Sequence, residues 1–416
     1  IPEFLEKRFD RRSRSIFSFI TIFISIVVDT AGGLYAGALV LQVFFPDLVL
    51  WHTTLALAMV AGVYTAFGGL KAVVYTDALQ AIILLVGCSM LTYLLFEKLD
   101  FSWANVLAAA PEGHFSVVQP LDTKGLPWPG LILGVPFLGF WYWATNQYII
   151  QRVLGAKDIR HARWGVTLAG FLKIIPLFIM VIPGAMAISL YPDLPSSDMV
   201  FPTMLEILPE GVLGLVLAGL VSAILSSVDS TLNSASTLIV VDFVKPAKPD
   251  LNDNQLANYG RFATLILMII AAMWAPFIGN FDGLWSYLQQ MFSIFVPPIV
   301  VLFLVGVFYK KGNGHGAFWT LIVGNVIGIL LFTLGKLGYW SMHFTYNVGI
   351  SVVLSSIVFI VFSNYGPRPS DEVIEKFTFN KSLIQEGNEN MPWYKDYRIQ
   401  SVVLLIIIIY TLIEFW

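Results

Sequence analysis

The chain has 416 residues, 57% of them hydrophobic and only 12% charged, with a formal net charge of −3 and a mean hydropathy of +0.76. Soluble domains carry roughly a quarter charged residues, so an ordinary water-facing globular surface is excluded. The charge balance favours neither nucleic acid nor an acidic partner, and the lone Cys88 allows no disulfide framework.

The apolar residues fall in long unbroken runs. A run of about 20 such residues crosses the roughly 30 Å hydrocarbon layer as a helix. Barrel strands would alternate apolar and polar residues over about ten positions, and that pattern is absent. In chain order the runs predict eleven helices, near 15–45, 50–68, 77–96, 128–150, 164–189, 211–241, 262–279, 284–308, 317–335, 346–363 and 400–416. The first is too long for a perpendicular span, so it must tilt or extend beyond the bilayer. The chain starts at Ile1 in a polar stretch, with no initiator Met and no signal peptide, which reads as a missing N-terminal portion.

Orientation follows from Lys and Arg. With residue 1 in the cytoplasm, the inward segments 1–14, 69–76, 151–164, 243–261, 309–314 and 364–399 hold 20 of the 24 basic residues. Outward loops hold only Lys98, Lys124 and Lys336, while Lys173 lies within a helix. One missed or invented span would invert half the loops and destroy this bias. The expected result is a multi-pass protein of the cell membrane with its C-terminus outside.

Ionisable side chains inside spans are costly and therefore functional candidates. Asp29, Asp77, Lys173 and Asp229 are four such residues. Asp77 lies at the inner mouth of a span, where it is either a helix N-cap or a functional carboxylate. Lys173 is about ten residues into its helix, too deep for easy snorkelling, and predicts a polar cavity. Asp29 is open between a structural hydrogen bond and a solute contact.

Ala223, Ser226, Ser227 and Ser230 follow i, i+3, i+4, i+7 and share one helical stripe beside Asp229. Hydroxyl and carbonyl oxygens on that stripe suit a partly dehydrated hard cation. Small residues there equally suit close helix packing. In 128–150, Pro129, Gly130, Gly134, Pro136 and Gly139 precede Trp141, Tyr142 and Trp143. Such breakers are tolerated where the loosened backbone lines a cavity, and they equally suit a merely kinked helix. The aromatic rings either stack on a sugar or anchor at the interface. Trp285, Gln289 and Gln290 open the span that later carries Pro297 and Pro298.

Four stretches together resemble the solute:sodium symporter family, in particular its sodium/glucose (galactose) cotransporter branch. They are residues 1–9, the run Gly68-Gly69-Leu70-Lys71 to Tyr75-Thr76-Asp77, residues 143–152 containing Asn146-Gln147-Tyr148, and residues 226–237 from Ser226-Ser227 through Asp229-Ser230. The resemblance implies an all-α membrane fold of two inverted five-helix repeats with flanking helices. By it, residues 1–126 are the remainder of the first repeat, 127–310 the second, and 311–416 the C-terminal flanking helices. The family pattern also places this chain after the first two core helices.

Residue by residue, the resemblance implies a sodium site of the Ala223 carbonyl and the Ser226 and Ser227 hydroxyls. Asp77, Asp229 and Ser230 would belong to a second sodium site or the exit path, although a carboxylate at 229 departs from the commoner pattern. Lys173 and Gln289 would bond solute hydroxyls, with Tyr142 as the inner aromatic gate, Trp285 as the outer one, and Asp29 facing the cavity. Gly139 replaces an Asn or Thr that bonds sugar in some members. The implied activity is sodium-coupled sugar uptake by alternating access. The rival cargoes on the same fold are inositol, sialic acid, an amino acid, a carboxylate or a vitamin. An enzyme is disfavoured because the spans offer no His pair, Ser/His/Asp set or metal-ligand cluster.

Overall fold

In lipid each backbone polar group must be satisfied within the protein, which leaves helices and closed barrels as spanning structures. A computed structural model describes the backbone of all residues but 124, 195, 381–391 and 416, and the side chains of all of these but 64–77 and 109. No β-strand occurs among the described residues.

A short α1 (Pro2–Arg8) leads into α2 (Arg11–Phe23), which continues through a π-helical turn, Ile24–Thr30, into α3 (Ala31–Phe44). Next come α4 (Leu50–Glu97) and the peripheral α5 (Trp103–Ala109). The segment with the predicted breakers is fragmented into α6 (Trp128–Leu133), α7 (Val135–Phe140), a π turn at Trp141–Thr145, and α8 (Gln147–Leu154). Then α9 (Ile159–Leu172) joins α10 (Ile182–Leu190) through a π turn at Leu177–Val181. Beyond α11 (Val200–Met204), the long α12 (Glu210–Leu238) ends in another π turn, Ile239–Val244, and α13 (Lys245–Ala247). The remaining helices are α14 (Asp253–Trp274), α15 (Leu284–Phe308), α16 (Gly314–Lys336), α17 (Phe344–Ser363), α18 (Asp371–Phe377) and α19 (Tyr397–Glu414).

Among the described residues nine helical stretches are long and apolar enough to cross a membrane, and Leu50–Val63 is a shorter apolar helix. These nine match nine of the eleven predicted spans. The other two are 50–68, whose described part is the shorter helix, and 128–150, which is broken as its sequence implies. The first span is indeed over-long, running from Arg11 to Phe44.

The sequence places a loop at 69–76, whereas α4 is helical from Leu50 to Glu97. A straight helix of that length would reach roughly 72 Å, far beyond the bilayer. Its two ends pack on different helices. Near one end, Thr54 bonds the Ala272 carbonyl and Gly62 lies against Met268, so residues 54–62 run antiparallel to α14. Near the other, Gln80, Ile83 and Gly87 meet Ser222, Gly219 and Val216, antiparallel to α12. Leu57 and Ile224 both touch Gly37, so Leu57 and Gln80 reach almost the same level of α12. The two ends therefore behave as two spans.

The core runs along α15, where Val296, Ile299, Val300, Val301 and Leu302 are wholly buried. Gly130 and Gly134 are needed for close approach rather than for a cavity. A β-carbon at Gly134 would lie 2.7 Å from the Thr345 carbonyl oxygen, so the first turn of α17 rests directly on this backbone. This part of the predicted breaker cluster serves packing.

Two polar clusters fasten the helix ends. Arg14 bridges Glu6 and Asp242, and Ser18 donates to the other oxygen of Asp242, tying α1 and α2 to the π turn after α12. Arg8 is 2% exposed and donates to the Gly312, Gly306 and Tyr309 carbonyls at 2.8, 3.0 and 3.1 Å. Gly306 lies in the last turn of α15, while Tyr309 and Gly312 belong to the connection to α16, so the guanidinium fastens the end of α15 to that turn. Replacing Arg8 by Ala should destabilise the folded state by about 2–4 kcal/mol, because the cation is lost and buried carbonyl acceptors are left without it. Thermal denaturation in detergent reads this, with Arg8→Lys recovering only part of the loss.

Candidate functional site

The site is built on interrupted helices. In the turn at Trp141–Thr145 the Asn146 amide reaches back five residues to the Trp141 carbonyl at 2.9 Å, and Thr145 Oγ1 donates to the same oxygen at 3.1 Å. Asn146 then leaves the helix and caps α8, its Oδ1 accepting from the Tyr148 amide at 3.2 Å. A wound-open turn followed by a new N-terminus presents three consecutive aromatic rings in three directions. Such π turns recur at functional sites.

Tyr142 points toward α12. With Tyr148, Arg152 and Gln80 it lines a cavity of about 330 Å³ whose far wall is Ala223, Ser226, Ser227 and Ser230. The four stripe residues predicted from spacing thus share one cavity with the predicted inner gate. The Ser227 hydroxyl is exposed to it and donates to the Ala223 carbonyl at 3.0 Å. Ser226 is 4% exposed and Ser230 3%. Arg152 Nη2 donates to Ser230 Oγ at 2.8 Å and Nη1 to the Tyr148 carbonyl at 2.7 Å, while Tyr148 donates its hydroxyl to Tyr142 at 3.1 Å. Gln80 closes another side by donating to Ser222 Oγ at 2.7 Å.

Trp143 points the other way and receives the Lys173 ammonium at 5.7 Å from its ring centroid. Lys173 is the C-cap of α9, where the chain breaks ahead of Pro176, because proline offers no amide to continue the ladder. Trp141 is buried against Phe292 with centroids 4.8 Å apart, three residues along α15 from Gln289. Lys173, Gln289, Trp285 and Asp29 do not line the Ser227 cavity. The aromatic turn relates them to it: Tyr142 to the oxygen stripe, Trp143 to Lys173, and Trp141 to the helix of Gln289.

Trp285 stands in the first turn of α15, 71% exposed. That helix starts at Gly283, whose φ of +97° favours glycine, and both oxygens of Asp198 accept from the Leu284 amide, at 3.1 and 2.9 Å. Asp29 lies in the turn Ile24–Thr30, where Oδ2 is buried with no hydrogen-bond partner. A structural bond through that oxygen is therefore not made. The carbonyl of Val27 in the same turn accepts from the Tyr287 hydroxyl at 2.6 Å, and Thr30 and Thr231 share a 2.7 Å hydroxyl contact that links the turn to α12. Asp229 is 4% exposed and does not line the cavity. Asp77 lies outside the described residues.

The sequence reading gave no role to Arg152, Tyr148 or Gln80. Arg152 and Tyr148 were within a quoted motif, and a cation or phenol beside a helix break was the available signal. Gln80, one turn past Asp77, carried none.

A bundle of apolar helices, broken where polar groups converge, is a multi-pass membrane protein of the inverted five-plus-five repeat fold. A solved structure of a Na+-coupled sialic acid symporter in a substrate-bound outward-open state superposes with a TM-score of 0.73 at 20% identity, covering 89% of this chain and 78% of that one. Residues 1–324 match the sodium:solute symporter family, and the chain belongs to it. It is 34% identical to the human sodium/myo-inositol cotransporter 2 over 91% of its length, and 32% identical to the Vibrio parahaemolyticus sodium/glucose cotransporter over its whole length. It spans 64% of the former and 79% of the latter. The zebrafish (Danio rerio) sodium/glucose cotransporter 4 is 34% identical over 79% of this chain. These relatives are cotransporters, not enzymes.

Cysteine substitution reads the cavity directly, since the native Cys88 is 2% exposed. A thiol at Ser227→Cys should react with a water-soluble reagent about tenfold faster than one at Ser226→Cys, because reaction requires an accessible thiolate. Equal rates at the two positions would place the stripe differently.

Proposed function

We propose that this chain carries sodium-coupled uptake of a sugar by alternating access. The observation that supports it is the single cavity shared by the Ala223, Ser226 and Ser227 oxygens and the Tyr142 gate. Neutral hydroxyl and carbonyl oxygens suit a hard monovalent cation. Sodium there would favour the outward-open state, solute would bind beside it, and both would stabilise an occluded form. Opening toward the cytoplasm would release sodium past Asp77, with Asp229 and Ser230 on that path or in a second sodium site. One charge moving through about 100 mV contributes roughly 2.3 kcal/mol to the drive. Linkage requires sodium and solute to tighten each other's binding.

On the same reading Lys173, Gln289 and Asp29 bond solute hydroxyls between Tyr142 and Trp285. Residues 1–126, 127–310 and 311–416 act as first repeat, second repeat and flanking helices. Residue 1 faces the cytoplasm of the cell that bears the protein in its surface membrane.

An inositol is the second reading. A β-carbon at Gly139 would meet nothing within 4 Å, so this position offers room instead of an amide or hydroxyl. That space admits a differently substituted ring, and the human relative is named for myo-inositol.

Uptake into proteoliposomes decides the coupling: it should saturate with solute and collapse when choline replaces sodium. Ser227→Ala should abolish the sodium dependence, and an unchanged sodium affinity would contradict the site. Gln289→Ala should raise the half-saturating solute concentration about tenfold, the equivalent of about 1.4 kcal/mol of binding. Competition among D-glucose, D-galactose and myo-inositol ranks the cargoes, and Gly139→Asn should shift that ranking.

A further inference from the structure

A second cavity, of about 240 Å³, opens between α15, the C-terminal half of α16 and the start of α17. It shares no lining residue with the Ser227 cavity. Its polar wall consists of Gln290 and Ser293 from α15, Lys336 from the end of α16, Trp340 and Ser341 from the connecting loop, and Asn347 from α17. None of the solute or sodium candidates lines it.

The wall is held in place and keeps unused hydrogen-bonding capacity. Trp340 Nε1 donates to Asn347 Oδ1 at 2.8 Å, and Gln290 Nε2 donates to Ser286 Oγ at 2.7 Å. Each bond occupies one end of an amide. Asn347 Nδ2, a donor, and Gln290 Oε1, an acceptor, have no partner among the described residues. Lys336 makes no ion pair among the described residues. Its ammonium lies 4.8 and 5.6 Å from the centroids of Phe281 and Phe332, and Phe332 also lines the cavity.

This set of groups selects an occupant class. An apolar ligand would bury the amides and the ammonium without partners, which is unfavourable. A metal cation would meet an ammonium and no carboxylate. A simple anion would satisfy Lys336 and Asn347 but leave the Gln290 acceptor and the indole face unused. A ring bearing several hydroxyls supplies donors and acceptors together, and its C–H faces rest on aromatic surface. The volume suits one ring, being below the roughly 300 Å³ at which drug-sized sites begin.

We propose that this cavity is a second binding site, for a neutral sugar or cyclic polyol, separate from the Ser227 cavity and the residues that would hold the transported solute. It rests on the proposed function only in sharing that solute class. Asn347 and Gln290 bond its hydroxyls, Lys336 donates to a ring or hydroxyl oxygen, and Trp340 covers one face.

The test uses Ser341→Cys in the detergent-purified chain, where the other cysteine, Cys88, is buried. D-glucose or myo-inositol should slow thiol modification at position 341 several-fold without sodium. The slowing should survive Gln289→Ala and disappear in both Asn347→Leu and Lys336→Ala. No slowing by either polyol overturns the site. Slowing by inorganic phosphate alone overturns the polyol assignment. Slowing that vanishes with Gln289→Ala reports movement driven from the transport site and overturns a separate one. Sodium-independent uptake, by contrast, would defeat the transport reading while leaving protection at 341 intact.

Discussion

Lipid offers no hydrogen bonds to an interrupted backbone, so an interruption persists only where the protein covers it. This chain makes its breaks in a few places and covers several of them with side-chain or backbone donors. The Val27 carbonyl takes the Tyr287 hydroxyl, the Trp141 carbonyl takes both the Asn146 amide and the Thr145 hydroxyl, and carbonyls at the end of α15 and in the turn after it take Arg8. Each uncovered group would cost several kcal/mol in hydrocarbon. The breaks are therefore also where polar side chains are brought into the bundle, and the candidate site follows from them.

The turn at Trp141–Thr145 shows the consequence. A regular helix would have pointed consecutive side chains 100° apart with its backbone sealed. The widened turn and the new start at Asn146 set three aromatic rings against three partners and leave α8 free to hold its own contacts on α12 through Arg152. A change in the α8–α12 contact would be felt at Tyr142 through Tyr148, since the two phenols are hydrogen-bonded. The Arg14–Glu6–Asp242 network instead fastens α2 to the end of α12.

Family membership and fold stand on different footing from cargo. The fold is shared at 20% identity with a sialic acid symporter, while relatives near one-third identity are named for inositol or glucose. A scaffold that hosts several solutes assigns its cargo through a few side chains. On the proposed function, Gly139, Lys173, Gln289 and Asp29 are the positions that would make that choice.

The sequence by itself determined the membrane class, the span pattern and the stripe at 223–230. Hydrophobic runs and helical periodicity are local, and lipid enforces them without reference to the rest of the chain. It also exposed the break in 128–150 but not the close packing of Gly130 and Gly134, because the contact of Gly134 with Thr345 joins residues some two hundred positions apart. It separated 50–68 from 77–96 by a loop, where the backbone is instead helical from Leu50 to Glu97. Only the tertiary structure put Arg152 on Ser230, Lys173 on Trp143 and the Asn347–Lys336 cavity together. Those contacts arise between helices distant in sequence, and no periodicity within one helix encodes what faces it across an interface.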